Sequence, residues 1–337
     1  MKNYKAIGKI GEGTFSEVMK MQSLRDGNYY ACKQMKQRFE SDRKSGSLAL
    51  ICELMDMNIY ELIRGRRYPL SEKKIMHYMY QLCKSLDHIH RNGIFHRDVK
   101  PENILIKDVL KLGDFGSCRS VYSKQPYTEY ISTRWYRAPE CLLTDGFYTY
   151  KMDLWSAGCV FYEIASLQPL FPGVNELDQI SKIHDVIGTP AQKTLTKFKQ
   201  SRAMNFDFPF KKGSGIPLLT TNLSPQCLSL LHAMVAYDPD ERIAAHQALQ
   251  HPYFQEQRLS MTKEGLGAVW KRDPEALCRR AAAHSGHRQL RLRGDHRAQA
   301  LLSHILEQPV SSVTAPKDRF KMETTSLAEQ REHGAAE

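Results

Sequence analysis

Features that would place a protein in a membrane or outside the cell are missing from this chain of 337 residues. No apolar run approaches the roughly 20 residues that cross a bilayer. The first residues lack the apolar core of a secretory signal, and position 2 holds Lys2 rather than the glycine of a myristoylation site. We therefore expect no membrane association and a cytoplasmic protein that can also enter the nucleus.

Disulfide and nucleic-acid signatures are absent as well. The eight cysteines form no Cys-X-X-Cys pair and no disulfide-framework spacing. Most lie in apolar settings, among them Cys52, Cys83 and Cys159, so we expect reduced core residues. The net charge of +11 would suit a nucleic-acid partner, but no RNA- or DNA-binding module is visible. We expect no direct binding to nucleic acid.

What the sequence does contain is a polar run, His-Arg-Asp-Val-Lys-Pro-Glu-Asn, that ends at Asn103, with Asp-Phe-Gly starting at Asp114. Phosphoryl transfer needs a carboxylate that orients and deprotonates a hydroxyl, and oxygen ligands for magnesium. Asp98 fits the first role, and Asn103 and Asp114 fit the second. Lys100 can reach the transferring phosphate. A solvated turn between two hairpins would not explain why these residue types occur in this order.

Two further motifs precede this run. A stretch with Gly11, Gly13 and Ser16 lies between strand-like segments and matches a glycine-rich phosphate loop, with Ser16 where a third glycine is usual. Both glycines permit close approach of the backbone to phosphates. Alone, this stretch would fit a plain hairpin turn equally well. Lys33 follows at the spacing of a third strand, in register with the other motifs.

Taken together, these motifs resemble those of the protein kinase family. The resemblance implies an α+β, two-lobed protein kinase fold, with an antiparallel-sheet small lobe over residues 1–53 and a large helical lobe over residues 56–254. It implies ATP and Mg²⁺ as cofactors, with Asp98 and Lys100 as catalytic residues and Asn103 and Asp114 as metal ligands. The implied ATP-binding residues are Ile10, Gly11, Glu12, Gly13, Thr14, Phe15, Ser16, Glu17, Val18, Ala31, Lys33, Cys52, Glu53 and Met55. Cys52 takes the position that limits access behind the adenine.

Residues 128–140 resemble the activation segment of the mitogen-activated protein kinases, which belong to the proline-directed (CMGC) branch. The chain looks like a shortened form of one member of this branch with an altered end, as alternative splicing could produce. The resemblance implies that Thr128 and Tyr130 are phosphorylated, although both could be merely exposed polar residues. It also implies that Arg242 pairs with Glu140. The implied phosphate-pairing residues are Arg97 and Arg119 for Thr128, and Arg134 and Arg137 for Tyr130.

The clearest departure from the family lies between Lys33 and Leu48, which only 14 residues separate. The family places a helix and a strand there, and average elements with their connections need more than roughly 22 residues. We therefore expect residues 34–41 to extend the strand of Lys33, and residues 42–46 to turn directly into the strand that leads to the hinge at residues 53–55.

The missing helix would carry the glutamate that pairs with the phosphate lysine in active kinases. Glu40 is the nearest candidate, but it lies at the far end of the expected strand. The helix would also cover the small sheet, where four large side chains contribute roughly 6–12 kcal/mol. Because whole domains have only about 5–15 kcal/mol of net stability, we expect a loosened small lobe with a bare edge strand.

In the large lobe, apolar spacing predicts a helix over residues 71–91, with Ser71 as its N-cap. Residues 104–112 alternate like a short, tight hairpin. Residues 255–337 are basic with few aromatic residues, and we expect most of them to be disordered. An amphipathic helix near 297–306 is compatible with their pattern. The basic run at residues 288–293 is either a solvated charge run or a signal for nuclear import or an acidic partner.

The sequence thus predicts an ATP-dependent protein serine/threonine kinase, proline-directed and switched by phosphorylation of its activation loop. Loss of the helix should weaken the activity of this form. The alternative is a catalytically weak scaffold or decoy that binds kinase partners and chaperones. Expected partners are protein substrates with serine or threonine targets, an upstream activating kinase unless the chain phosphorylates itself, and cytosolic kinase chaperones.

Overall fold

The computed structural model describes residues 3–13, 16–41, 44–128, 132–198, 207–217 and 223–260. The chain divides into two compact units, residues 1–288 and 289–337, and all described residues lie in the first. Residues 255–260 are helical. The remaining predictions for the tail, including the helix near 297–306 and the basic run at 288–293, lie outside the described residues.

The small lobe is a four-stranded antiparallel sheet in which each strand pairs with its neighbour in the chain, in the order β1-β2-β3-β4. Its strands are β1 (Tyr4–Glu12), β2 (Ser16–Ser23), β3 (Tyr29–Ser41) and β4 (Lys44–Glu53). The turn between β2 and β3 forms because Oδ1 of Asp26 accepts the amide of Asn28 at 2.9 Å and Gly27 takes a φ of 73°.

The direct hairpin expected between Lys33 and the hinge is present. Ser41 pairs with Lys44, and the register runs along the two strands to Tyr30 and Glu53. The turn has fewer residues than the expected span of 42–46, because pairing with β3 already begins at Lys44. The register shifts once, between Gln34 and Arg38 on β3. In its described residues, the small lobe therefore lacks the usual helix and one strand, as predicted.

The large lobe is mostly helical and begins after the hinge. Its helices are α1 (Ile59–Ile63), α2 (Glu72–Arg91), α3 (Pro139–Leu143), α4 (Met152–Ser166), α5 (Glu176–Ile187), α6 (Gln192–Lys197), α7 (Pro225–Met234) and α8 (Ala245–Gln250). Short strands are β5 (Met57–Asn58), β6 (Ile94–Phe95), β7 (Ile104–Ile106), β8 (Leu110–Leu112) and β9 (Arg119–Ser120). Among the described residues, none of the helices has the length and apolar content needed to span a bilayer.

The large lobe contains nearly all of the buried apolar core. Helix α2 buries one apolar face, and Ser71 is its N-cap, although the Ser71 side chain makes no capping hydrogen bond. Helix α4 is buried on almost every side, and Trp155 stacks on Phe171 at 5.3 Å between ring centres. In the described part of the small lobe, only two apolar side chains are buried, those of Met21 and Cys32. The loosened small lobe expected from the sequence agrees with this distribution.

The prediction that the cysteines named above are core residues was correct for two of three. Cys83 and Cys159 are buried, and burial raises the pKa of the Cys83 thiol to about 12. Cys52 is exposed, so that part of the prediction was wrong. It lies on β4, whose outer side has no neighbouring strand among the described residues, and this explains the exposure.

Candidate active site

A buried carboxylate at the start of α4 fixes the backbone of the polar run that begins after β6. Oδ2 of Asp153 accepts the amide of His96 at 2.8 Å, and Oδ1 accepts the amide of Arg97 at 2.8 Å. Nε2 of His90 lies 2.8 Å from Oδ2. Although burial favours the neutral acid, the hydrogen bonds from His90 and His96 keep the pKa of Asp153 below its usual value. The hydrogen bonds of Asp153 to the loop backbone hold Arg97 in a left-handed conformation with φ 69°. Such a backbone conformation destabilises the fold by about 1–3 kcal/mol when nothing supports it.

This loop brings Asp98, Lys100 and Asn103 together. Nδ2 of Asn103 donates to Oδ2 of Asp98 at 3.1 Å and to its carbonyl oxygen at 2.8 Å. Nζ of Lys100 lies 3.1 Å from the same carboxylate and donates to Oγ1 of Thr133 at 3.1 Å. The amide of Thr133 donates to Oδ1 of Asp98 at 3.3 Å. A carboxylate, an ammonium group and a hydroxyl thus meet at one point beside the activation segment.

The two candidate metal ligands lie at the open end of the hairpin formed by β7 and β8. Ile104 pairs with Leu112, and the amide of Gly113 donates to the carbonyl of Asn103 at 2.8 Å. Asp114, the next residue, has a left-handed backbone with φ 55° and ψ 72°. An amide and a carboxylate oxygen fit a hard cation such as Mg²⁺, which usually takes one or two protein ligands and the oxygens of phosphates.

Lys33 pairs with one of these candidate ligands. Its Nζ lies 2.5 Å from Oδ1 of Asp114, an atom that also accepts the amide of Gly116 at 3.3 Å. Burial favours the neutral acid, but the hydrogen bond and charge of Lys33 prevail and lower the pKa of Asp114. In the part of the chain that the structure describes, Lys33 has no ion pair with a glutamate.

Glu40 is not placed to substitute for the missing glutamate. It lies opposite Ser45 near the tip of the β3–β4 hairpin, whereas Lys33 lies opposite Leu50. Seven residues of extended strand span about 23 Å, more than the two side chains can bridge. The side chain of Glu40 lies outside the described residues.

The glycine-rich segment joins β1 to β2. The amide of Gly13 donates to the carbonyl of Ser16 at 2.8 Å, and a Cβ placed on Gly11 or Gly13 would meet nothing closer than 3.7 Å. Packing within the chain therefore does not require glycine at either position, whereas close approach of a phosphate would. Glu12 pairs with Lys36 of β3 at 2.8 Å, and the hydrogen bond from Lys36 lowers the pKa of Glu12 to about 2.

The other described candidates for ATP binding lie on the strands of the small sheet or at the hinge that follows it. Val18 and Leu50 both lie opposite Lys33 on the neighbouring strands, and Ala31 lies opposite Cys52. Directly paired residues of antiparallel strands point to the same face, so these residues share the face that carries Lys33. The remaining members lie along β1 (Ile10), on β2 (Glu17), and at the hinge (Glu53 and Met55), while Thr14 and Phe15 lie outside the described residues.

The first pair of predicted phosphate-binding arginines lies on neighbouring segments. Arg119 of β9 lies opposite Phe95 of β6, two residues before Arg97. The guanidinium of Arg97 donates to the carbonyl of Ser117 at 2.6 Å and to the hydroxyl of Tyr148 at 2.9 Å. That hydroxyl donates to the carbonyl of Thr128 at 2.8 Å. Arg97 is thus linked to the backbone of the predicted phosphorylation site.

The second pair lies at the end of the activation segment and contacts the start of α5. Arg134 donates to the carbonyl of Val174 at 3.0 Å. Arg137 donates to Oε1 of Glu176 at 2.9 Å and to the carbonyl of Ser132 at 3.1 Å. Tyr130 lies outside the described residues.

The pairing expected between Arg242 and Glu140 is present and buried. The two guanidinium nitrogens of Arg242 donate to the two carboxylate oxygens at 2.6 and 2.9 Å. The same guanidinium lies 5.1 Å from the ring centre of Trp155. This bidentate pair connects the start of α3, which follows the activation segment, to the rest of the large lobe.

The contacts of three residues at the site were not predicted from the sequence. Thr133 was read as part of the activation segment, without its contacts to Asp98 and Lys100. Tyr148 and Glu176 were not assigned roles at all. No local motif marks either residue, because each meets its arginine across more than 35 residues of chain.

Comparison with known proteins identifies the class. The model of the protein kinase domain matches residues 39–254, more than half of the chain, and the chain belongs to the protein kinase family. The predicted two-lobed fold is confirmed. Among curated proteins, the chain is similar to the MAPK/MAK/MRK overlapping kinase of Homo sapiens, at 87% identity over 299 residues that cover 80% of this chain and 71% of that protein.

The same kinase of Mus musculus is 85% identical over 294 residues, covering 78% of this chain and 70% of the relative. The serine/threonine-protein kinase MAK of Homo sapiens is 36% identical over 285 residues, which cover 76% of this chain and 46% of that protein. The predicted branch is confirmed, and the chain is a serine/threonine protein kinase of the CMGC type. Eighty percent of this chain is about 270 residues, so about 30 of the 299 aligned positions have no residue here. This agrees with a shortened form.

Proposed function

We propose that this chain transfers phosphate from Mg-ATP to serine or threonine residues followed by proline, with low turnover. The contact of Lys33 with Asp114 at 2.5 Å carries this proposal. Lys33, which should bind the nucleotide phosphates, and Asp114, which should bind the metal, form an ion pair with each other instead. The glutamate that would hold Lys33 in an active kinase belongs to the helix that this chain lacks.

The chemistry follows from the contacts around Asp98. Its carboxylate is the base that takes the proton of the target hydroxyl, and Asn103 and the amide of Thr133 orient it through their hydrogen bonds. Lys100, 3.1 Å from Asp98, neutralises charge on the phosphoryl group in transit. Asn103 and Asp114 would hold Mg²⁺, which neutralises charge on the nucleotide phosphates when bound.

Low turnover follows because Asp114 must leave Lys33 before it can serve a metal. In a kinase with the helix, the glutamate holds the lysine and leaves the aspartate available. Loss of one preorganised electrostatic contact in an active site typically lowers turnover by about 10²–10³-fold. We expect a decrease of this order relative to a form in which the helix and strand are restored.

The test compares this chain with a form that carries the corresponding segment of the 87% identical human relative between Lys33 and Leu48. Phosphate incorporation into a peptide with a Ser-Pro target is measured for both forms. In the restored form, Lys33→Met and Asp98→Asn should each remove nearly all turnover, whereas the exposed control variants Lys5→Met and Asp108→Asn should not. Near-normal activity of Lys33→Met or Asp98→Asn would disprove the assigned roles. Equal turnover of both forms would show that the glutamate is dispensable.

Regulation by the activation segment is part of the proposal. Phosphate on Thr128 is proposed to bind Arg97 and Arg119, and phosphate on Tyr130 to bind Arg134 and Arg137. An upstream kinase or the chain itself would add these phosphates, in the cytoplasm and also in the nucleus. Mass spectrometry of active restored enzyme that finds neither phosphate would argue against this switch.

A second candidate function is that of a scaffold or decoy with little catalysis. It is favoured by the scarcity of buried apolar side chains in the described part of the small lobe, a state that cytosolic kinase chaperones would bind. The two functions differ in a simple assay. Thermal stabilisation by Mg-ATP without phosphate transfer would favour the scaffold, and stabilisation with transfer would favour the enzyme.

A further inference from the structure

A cavity of about 440 Å³ lies in the large lobe, between the loop that follows α1 and the end of α4. One wall is formed by Tyr60, Ile63 and the loop after them, and another by residues 166–168. Cavities that hold small ligands commonly measure about 300–1,000 Å³. The contacts described above for Lys33, Asp98 and Asp114 do not involve this cavity, so it is available for a ligand of its own.

Three exposed arginines, Arg64, Arg66 and Arg67, line the cavity. The end of α1 fixes the turn that carries them, because the amide of Arg66 donates to the carbonyl of Ile63 at 3.2 Å. Gly65 takes a φ of 71° within this turn, a conformation that glycine adopts without steric cost. The fold therefore places three guanidinium groups on four consecutive residues at the edge of one cavity.

The positive charge of this lining is largely uncompensated. Among the described residues, none of the three arginines forms an ion pair with a carboxylate. Nε of Arg66 donates to the carbonyl of Tyr68 at 3.3 Å. The lining contains one acidic side chain, that of Glu163, which accepts the hydroxyl of Tyr136 at 2.7 Å. A cleft in which one sign of charge predominates attracts counter-ions, so we expect an anionic ligand.

Glu163 also connects the cavity to the candidate active site. Its partner Tyr136 follows Thr133 by three residues, and the amide of Thr133 donates to Asp98 at 3.3 Å. Three residues of chain reach at most about 11 Å, and the side chains of Tyr136 and Glu163 add about as much, so the cavity lies within roughly 20 Å of Asp98. An extended peptide advances about 3.3 Å per residue and would span this distance in about four to six residues.

We propose that the cavity binds a phosphoserine or phosphothreonine that lies about four to six residues from the target in a protein substrate. A phosphate monoester carries about −1.5 to −2 charges and three acceptor oxygens, which suit several guanidinium groups better than a carboxylate does. One concave cavity fits one such group, whereas a nucleic acid needs a row of phosphate contacts. The proposal rests on the proposed function only for the identity of the substrate, a chain with a Ser-Pro or Thr-Pro target.

The first test measures binding without catalysis, by fluorescence anisotropy of labelled peptides with the full chain and no nucleotide. The peptides contain a Ser-Pro target and carry either phosphoserine or serine about five residues before or after it. With the phosphate on one of the two sides, the phosphopeptide should bind about tenfold or more tightly than its serine version. Equal Kd values for phosphoserine and serine on both sides overturn the proposal.

Substitutions of the arginines locate the binding site. Arg66→Gln and Arg67→Gln each remove one guanidinium group and should raise the Kd of the phosphopeptide by about fivefold or more, with no change for the serine peptide. Arg66→Lys keeps the charge but loses the paired donors, so its Kd should lie between those of Arg66→Gln and the wild type. The matched control is Arg25→Gln, in the exposed turn between β2 and β3, which should bind like the wild type. An equal effect of Arg25→Gln, or no effect of either cavity substitution, overturns the proposal.

A second measurement distinguishes a peptide phosphate from a lipid phosphate. Phosphatidylcholine vesicles with about 5% phosphatidylinositol bisphosphate are sedimented with the chain, and no binding that depends on Arg66 is expected. Vesicle binding that Arg66→Gln removes, without binding of the phosphopeptide, overturns the proposal.

Phosphate incorporation into the same peptides tests the proposed function separately. A chain that binds the phosphopeptide through Arg66 but transfers no phosphate would confirm this site and disprove the proposed transfer. A chain that phosphorylates both peptides with equal KM, and binds them equally, would disprove this site and leave the proposed transfer intact.

Discussion

Asp153→Asn tests whether the carboxylate at the start of α4 holds the loop of Asp98, Lys100 and Asn103 in place. Asp153 accepts three hydrogen bonds, each of 2.8 Å, from the amides of His96 and Arg97 and from His90. Asparagine keeps one oxygen and turns an NH₂ group towards at least one donor. Each hydrogen bond to a charged group contributes about 1.5–3 kcal/mol, and leaving a buried donor without a partner costs about 1–3 kcal/mol more. We expect a destabilisation of about 3–5 kcal/mol.

The assay is thermal unfolding monitored by tryptophan fluorescence, to which Trp155, buried against Phe171, contributes. For a domain of this size, 1 kcal/mol changes Tm by about 2–4 °C, so Tm should fall by about 6–20 °C. Asp108→Asn, in the exposed turn between β7 and β8, is the control and should change stability by less than about 0.5 kcal/mol. A Tm within about 2 °C of the wild type for Asp153→Asn would refute the reasoning.

Three further predictions concern pH, substrate binding and local stability. Burial lowers the pKa of His184 to about 4, so the native state binds fewer protons than the unfolded state between pH 4 and 6.5. The stability that His184 contributes, about 3 kcal/mol, is therefore present above pH 6.5 and lost as the pH falls towards 4. In the helix-restored form, Tyr130→Phe should raise KM for the peptide more than KM for ATP. Hydrogen exchange of residues 4–53 should be faster than that of residues 72–254, since the core lies in the second segment.

A specific result would contradict each of these predictions. Denaturation of His184→Gln at several pH values should show a weaker dependence on pH than the wild type, and an equal dependence would contradict the role of His184. For Tyr130→Phe, a larger effect on ATP than on the peptide would mean that the activation segment acts differently. Equal protection of both segments would mean that residues 34–47 pack in an unforeseen way.

Local patterns in the sequence were sufficient to predict that Asp98, Lys100 and Asn103 lie together, and to predict the long helix α2 and the direct β3–β4 hairpin. Each depends on spacing within about 20 residues, or on the small number of residues between Lys33 and Leu48. The contact between Arg242 and Glu140 was predicted only through the resemblance to the family. The exposure of Cys52 was missed although a bare edge strand was expected, because the apolar residues around Cys52 suggest a core position.

The contact between Lys33 and Asp114 could not be read from the sequence for a different reason. The sequence assigned Lys33 to the ATP phosphates and Asp114 to Mg²⁺. The two side chains form an ion pair only where neither ligand, nor the glutamate of the missing helix, binds them. The links from Arg97 through Tyr148 to Thr128 depend on how distant segments pack. Such contacts have no periodicity or spacing in the chain, so only the assembled structure reveals them.

The sequential order of the small sheet has a consequence for folding kinetics. Because β1, β2, β3 and β4 each pair with the next strand in the chain, every contact in the sheet forms between residues that are close in sequence. A kinase lobe with a helix inserted before its last strands must close a longer loop first. Folding rates rise as contacts become more local, so this sheet should form rapidly, as soon as its residues leave the ribosome. With few buried side chains to slow its opening, it should also unfold rapidly.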